Sequence, residues 1–584
     1  MKPSVRFSLL LVVTICLVNL SAERVSVHDD SISAGESVTW AANDTFVLME
    51  RVFVDSGAVL TIGEGAVVMA KYFDAAATPT EDPAQLIVAR NAKIIANGTK
   101  ASPIIFTSEL DPLNYAYSQL VYRAHGVWGG ITILGNAPTN SGAMEHYRAA
   151  DKGQSDPRAK YGGTASEDSS GELSYISIRF AGTDINEPEG YEDQIDDDLL
   201  ELAGLTLAGV GSKTNIHHIE VFQSADDGVK IFGGTVNAKY LASIFSLDNQ
   251  FNLDQGYRGK GQFWFSYRRL MKKEGINELL NEGAHSYMVR NLGGVGTPAA
   301  FTQPTLSHLS FFNDASGQTI SFAESAGGFL FNSLIYQSGN VEIVPSSATR
   351  WRNNELRIAY NLFAENVGQA DPDWSLFTAG SGTLDSVLKP PENDLSAKMT
   401  NIVLKPKNST PLDQPPYELA FRSIDSLTWV NIFPPDSMGD AEFFDAACWK
   451  GAFDPRIDSI WLVGWSALDG YGFLSEHNVK LIDSCYTGKL PIRMRYVSNS
   501  LFSGLNLRVS HSTLNLSFAL PSEQIVSVNL YSVNGRFAKK LYHKSLSTGS
   551  QNLHLPLQGV AKGFYIVKIQ ADAHTIVKTV PFMR

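Results

Sequence analysis

The residues best suited to chemistry are a group of acids and amides between positions 226 and 254. Asp226, Asp227 and Gly228 are followed 22 residues later by Asp248 and Asn249, with Asn252 and Asp254 just beyond. If 22 residues bring the chain back over itself, these side chains gather several oxygen ligands in a small volume. Carboxylates crowded in this way repel unless a cation, a proton or a lysine lies between them. Three chemistries suit such a group. Ca2+ accepts about 6–8 oxygen ligands in loose geometry, and Asp226, Asp227, Asp248, Asn249, Asn252 and Asp254 all offer oxygens, although the spacing matches no known calcium loop. Asp226, Asp227 and Asp248 could instead divide acid and base work, as paired carboxylates do in glycoside hydrolysis. Third, an Asp/Asn ladder can cap turns by hydrogen-bonding backbone N–H groups.

Close by are groups that could hold a substrate. Arg258 and Lys260 sit in the run GYRGKG, and Tyr257, Phe263, Trp264, Phe265 and Tyr267 form an aromatic cluster. Strand alternation places Phe263, Phe265 and Tyr267 on one face and Trp264 on the other. An exposed Trp264 or Tyr257 would then stack on a sugar, with Arg258 and Lys260 beside it. The run from Glu187 to Glu201 holds eight acids and reads as a solvated loop, with a second cation site as the alternative. His217 and His218 are consecutive, so on a strand they point to opposite sides and cannot readily share a metal. No H-x-x-x-H or C-x-x-C spacing marks a zinc site, and there is no G-x-S-x-G elbow or phosphate loop.

What positions these residues is a series of short apolar strands separated by Gly, Asn and Ser. Val52 to Ile62, Leu86 to Ile95, Leu173 to Phe180, Ile216 to Phe222, Tyr240 to Phe245, Leu306 to Phe312 and Leu356 to Phe363 are members. Equivalent positions such as Ile219 and Leu241 recur after 22 residues, and Leu309 and Leu334 after 25. One strand-rich unit every 20-odd residues is the period of a parallel β-helix, in which each coil stacks its strands on the one before. A sandwich would instead need hairpin turns about every 8–12 residues, and Asn-Gly and Asp-Gly signals are few.

Beyond 364 the pattern breaks at Pro390-Pro391, Pro415-Pro416 and Pro434-Pro435. The aromatic-dense run Phe443 to Phe473 is expected to cap the open end of the solenoid. Residues 486–505 read as a linker, and 506–584 as a small β-sandwich with a hairpin turn at Asn534-Gly535. At the other end, Lys2 and Arg6 precede an apolar core from Ser8 to Leu20, and Ala22 closes a signal peptide spanning 1–22. The body is thus 23–485. A net charge of −13 argues against nucleic acid. No later stretch is apolar enough for a transmembrane segment. Of three cysteines, Cys16 belongs to the signal peptide, and Cys448 and Cys485 are free to pair in an oxidising compartment.

The C-terminal module resembles the sorting domains of type IX secretion substrates. The resemblance rests on Val528 to Arg536 (VNLYSVNGR), Leu555-Pro556-Leu557, Lys562 to Lys568 (KGFYIVK), and a basic end at Lys578 and Arg584, although Val580 to Arg584 departs from the usual terminal motif. The body resembles a group of secreted β-helix proteins of Bacteroidetes- and Fibrobacter-type bacteria. Trp128 to Asn140 (WGGITILGNAPTN), Gly204 to Thr214 (GLTLAGVGSKT), Asp226 to Leu241, Asp254 to Phe263 and Lys450 to Trp465 carry it. These are similar in architecture to pectin-lyase-like right-handed β-helices. The segment Asp226 to Ile231 (DDGVKI) is similar to the paired-aspartate coil of polygalacturonase-type hydrolases, but an Asn-Thr-Asp segment, a Gly-His-Gly turn and an Arg-Ile-Lys are absent.

These readings combine into an all-β protein, a right-handed parallel β-helix followed by a small C-terminal β-sandwich. The resemblance implies export to the periplasm, handling by the type IX secretion machinery, and an extracellular or outer-membrane-surface location. The expected function is binding of extracellular polysaccharide, or adhesion, with Ca2+ as the candidate cofactor. A polysaccharide lyase or glycoside hydrolase on the same scaffold is the alternative.

Overall fold

The computed structural model describes residues 24–74, 82–114, 124–146, 156–183, 201–268, 285–290, 301–313, 318–336 and 340–364, shorter pieces between 378 and 440, 442–474, and most of 503–582. The expected signal peptide and nearly all of the expected linker lie outside them. The body is a right-handed parallel β-helix. Among the described residues two sheets run its length, one of 19 strands and one of 11, parallel except for a terminal antiparallel pair, Thr378–Ala379 with Gly382–Thr383. Each coil contributes one short strand to the 11-stranded sheet and one bent or divided strand to the larger one. Leu205–Ala208, Val229–Phe232 and Phe251–Asp254 pair in register on the first, and Asn215–Phe222 with Asn237–Ile244 on the second. Inward residues such as Leu205, Leu207, Val229, Ile231, Phe251 and Leu253 join one continuous core. Since every backbone amide of a central strand bonds the coil on either side, no coil is stable alone.

From the strand Gly171–Arg179 onward, the bend in each larger-sheet strand has one backbone device. Tyr175, His218, Tyr240, Phe263, His308, Asn332 and Tyr360 all have φ between 49° and 63°, one in each coil. A non-glycine residue there costs about 1–2 kcal/mol. Stacking opposes that cost. Tyr175 lies over His218 with centroids 4.3 Å apart, His218 over Tyr240 at 4.4 Å, and Tyr240 over Phe263 at 5.0 Å. The turn also interrupts strand alternation at the same point.

The long excursions fall between strands. One carries a small hairpin, Met144–Glu145 against Lys160–Tyr161, that lies over the outer face of the 11-stranded sheet. There Tyr161 and Ala159 bury Phe53, Ile87, Leu134, Ala208 and Phe232. The outward rows of that sheet are consequently dry.

The aromatic run 443–473 does not close an end of the solenoid. It runs along the flank as a strap over several coils. Trp449 packs on Phe263 and His308, Trp461 on Tyr240 and His218, Trp465 on Tyr175, and Tyr471 on Phe180 and Phe222. The rings lie where the left-handed ladder leaves aromatic edges to cover, which an end cap would not do. Cys448, within the strap, is disulfide-bonded; Cys485 lies outside the described residues.

The strap is held by a buried charge. Glu220, fully buried, accepts hydrogen bonds from Ala467 N at 2.6 Å, Leu468 N at 3.0 Å and Ser177 Oγ at 2.7 Å. Arg179, also buried, donates to Ser177 and faces Asp111 at 3.5 Å, and Tyr471 reaches Asp111.

The C-terminal module is a β-sandwich of a three-stranded and a four-stranded antiparallel sheet. Leu514, Leu516 and Phe518 of Thr513–Leu520 meet Val526, Val528, Val567 and Ile569 of the other sheet in one core.

Replacing Glu220 by Ala strips the acceptor from two strap amides and from the Ser177 hydroxyl. The expected cost is about 3–5 kcal/mol, the usual penalty for breaking a buried charged network. Hydrogen exchange should accelerate selectively at Ala467 and Leu468. Unchanged protection there would show that the strap does not depend on this carboxylate.

Candidate functional site

Between one larger-sheet strand and the next strand of the 11-stranded sheet the chain makes a turn, and the acids occupy these turns. Gly204 N bonds Asp227 O and Gly228 N bonds Asn249 O, which stacks three successive turns. Glu201 lies on the first, Asp226 and Asp227 on the second, and Asp248 and Asn249 on the third. The separation of neighbouring strands, about 4.8 Å, then sets the distance between their side chains. One carboxylate oxygen each from Glu201, Asp226 and Asp248 fall within 4.8 Å of one another.

Lys230 is the counter-charge. In the strand Val229–Phe232 the neighbours Val229 and Ile231 point into the core, so Lys230 points outward, between Thr206 and Asn252 of the adjoining strands. Its Nζ lies 3.0 Å from Asp226 Oδ2 and 3.2 Å from Asp227 Oδ2, and all three side chains are essentially inaccessible. Burial alone would pull the lysine pKa down. The Asp226, Asp227 and Glu201 carboxylates outweigh it and raise that pKa, so Lys230 stays charged.

The two aspartates differ in what remains to them. Asp227 is saturated: Asn249 donates its N at 3.0 Å and its Nδ2 at 2.9 Å, and Asn252 Nδ2 donates at 2.9 Å. Asp226 spends Oδ2 on Lys230, and its Oδ1 is buried without a donor unless Glu201 carries a proton, for the Glu201 carboxyl hydrogen-bonds Asp226. Burial, then the adjacent Asp226 charge, pushes the Glu201 pKa up to about 10. Asp248 is also raised well above its ordinary value, by burial first and then by Asp227 and Asp226. Without a cation, protons keep this cluster neutral enough to exist.

The expected ligand set is therefore redrawn. Asp226 and Asp248 come together as expected, with Glu201, from the end of the acidic run, as the third carboxylate. Asn249 and Asn252 serve Asp227 as hydrogen-bond donors, and Asn249 Oδ1 in turn accepts from His285 N at 3.0 Å. Asp254 points outward two residues further along, beside Phe232, where it accepts from Gln255 N. Spacing alone could have flagged Glu201, one coil before Asp226, but the long excursion ahead of it hides the period. Lys230 follows Asp226 by four residues and was legible as a partner.

The expected sugar platform is not assembled. Tyr257 and Trp264 are fully buried, with Tyr257 OH bonded to Val236 O and Trp264 Nε1 to Ala238 O, both at 2.9 Å. The left-handed turn at Phe263 breaks the alternation that would have exposed Trp264. Lys260 is paired with Asp440 at 2.7 Å, and Arg258 is exposed, its guanidinium over the Phe301 ring.

Residues 32–349, more than half of the chain, match the pectate-lyase-like β-helix domain family. The chain belongs to that family. Residues 510–581 match the secretion system C-terminal sorting domain, so this β-helix protein is a type IX export substrate destined for the cell surface or the extracellular space. No curated protein matches the chain significantly. Among the described residues no helix is long and apolar enough to cross a membrane.

Two measurements probe the node. Lys230→Met leaves Asp226 and Asp227 buried without a counter-charge, at an expected cost of about 3–5 kcal/mol at neutral pH; the cost should shrink in acid as the carboxylates protonate. Folded Glu201 keeps its proton to about pH 10, whereas the unfolded chain releases it near 4.5. The folded state binds the extra proton, so this contribution is full below about 4.5 and is lost as pH rises towards 10. In chelator, the melting temperature should fall across that window, and Glu201→Gln should flatten the fall. Thermal denaturation at a series of pH values checks both.

Proposed function

We propose that this exported β-helix binds extracellular polysaccharide, and that a Ca2+ ion held by Glu201, Asp226 and Asp248 takes part in the grip. The observation that supports it is the convergence of three carboxylates within 4.8 Å, on turns at the edge of the 11-stranded sheet. Ca2+ prefers hard oxygen ligands with permissive geometry, and water or a sugar carboxylate completes its shell. Lys230 and the donors to Asp227 hold the second aspartate out of the ligand set, so the ion meets three carboxylates on three different coils.

The same spacing speaks against inverting hydrolysis. Retaining glycosidases separate their carboxyls by about 5–5.5 Å and inverting ones by about 6.5–9.5 Å, the latter leaving room for a water. Oxygens within 4.8 Å leave no room for the water that an inverting enzyme places between its carboxyls, and they suit an ion cradle.

Calorimetric titration of the mature chain should give one saturable Ca2+ site that releases protons, because Glu201 must ionise to bind. Heats measured in buffers of different ionisation enthalpy count those protons. Asp226→Asn should abolish the site. Retention on polygalacturonate should require Ca2+ and be lost with the same substitution. A flat titration would remove the ion from the proposal, retention unaffected by chelator would separate polymer from ion, and unsaturated product would replace binding with lyase chemistry.

A further inference from the structure

The left-handed ladder does something to the two consecutive histidines that strand geometry forbids. On a regular strand, side chains at adjacent positions point to opposite faces. His218 has a φ of 54°, and the turn swings its ring to the side of His217. Their Nδ1 atoms are 3.0 Å apart and the ring planes nearly perpendicular, at 88°. Both rings are half-buried.

We propose that His217 and His218 form a two-nitrogen chelate for a divalent transition metal on the flank of the solenoid, under the edge of the strap. Two imidazole nitrogens each about 2.0–2.1 Å from one ion, in adjacent positions at about 90°, stand about 3.0 Å apart, whereas a tetrahedral ion would spread them to about 3.3–3.4 Å. The observed separation of 3.0 Å fits the tetragonal geometry of Cu2+ or Ni2+ better than tetrahedral zinc. Cu2+ leads the affinity order for nitrogen sites.

The surroundings fix the rings. His218 is clamped between the Tyr175 and Tyr240 ring faces, with Trp461 and Trp465 of the strap edge-on at 5.9 and 6.4 Å. Tyr175 meets His217 edge-on. A ligand pair held this rigidly loses little freedom on binding. Water would occupy the remaining positions. Nothing in this site overlaps the acid cluster, which offers only hard oxygens.

The test uses the whole mature chain and Cu2+ delivered from a weak glycine buffer. Copper at His218 lies beside Trp461 and Trp465, so binding should quench tryptophan fluorescence in a saturable, one-equivalent step. The electron paramagnetic resonance spectrum of that species should show superhyperfine coupling to two nitrogens. His217→Gln should lose the saturable step and the two-nitrogen pattern, and Asp226→Asn should keep both. Should His217→Gln fail to fold by circular dichroism, the two-nitrogen spectrum of the wild-type chain and its persistence in Asp226→Asn decide. The proposal is overturned if wild type shows no saturable quenching, or if folded His217→Gln binds as tightly; the 3.0 Å contact is then only an imidazole–imidazole hydrogen bond.

Discussion

In-register stacking governs everything in the body of this protein. Each coil lies about 4.8 Å from the next, so whatever occupies one position is brought against its counterpart a coil away. For valine and leucine this is an advantage, and the interior becomes a set of apolar columns. For aromatic rings it is also favourable, as the Tyr175–His218–Tyr240–Phe263 column shows. For carboxylates it is a penalty that must be met. Glu201, Asp226 and Asp248 stand in one such column, and the protein meets the cost with a buried lysine from the adjoining strand, a saturated hydrogen-bond shell around Asp227, and protons. Arrangements that hold protons on acids at neutral pH are poised to exchange them for a cation.

The same constraint shapes the flank. A solenoid needs a sharp bend in every coil, and here the bend is a left-handed residue that in most coils bears a ring or an imidazole rather than glycine. Those rings present edges along a line, and the strap covers them with Trp449, Trp461, Trp465 and Tyr471. Its docking onto Glu220 ties the last part of the body to coils more than 200 residues earlier in the chain. A chain sorted by its C-terminal module thus carries its own lateral brace.

Much of this was legible from the residues. The recurrence at 22 residues and the lack of hairpin turns specify the parallel solenoid, and Asp226 and Asp248 can be stacked on paper because their offset equals that recurrence. The C-terminal strands announce themselves by alternation. What was hidden shares one physical origin, conformations and contacts that leave no periodic trace. The positive φ at Phe263 sends Trp264 into the core, and the one at His218 brings it alongside His217; strand alternation predicts the opposite in both cases. Glu201 reads as the end of a solvated acidic loop until the long excursion before it is seen to rejoin the coil. The strap reads as an end cap because nothing in an aromatic run says which surface it will meet.

The central claim, that stacked carboxylates on three coils make a cation site balanced by Lys230, is tested most directly by anomalous diffraction from crystals of the mature body grown with Ca2+ and with Tb3+ as its substitute. The account predicts a single strong peak about 2.3–2.6 Å from oxygens of Glu201, Asp226 and Asp248, with Lys230 still bonded to Asp227. A map without a peak there, in which Glu201 remains hydrogen-bonded to Asp226, would contradict it and leave the node a purely structural device.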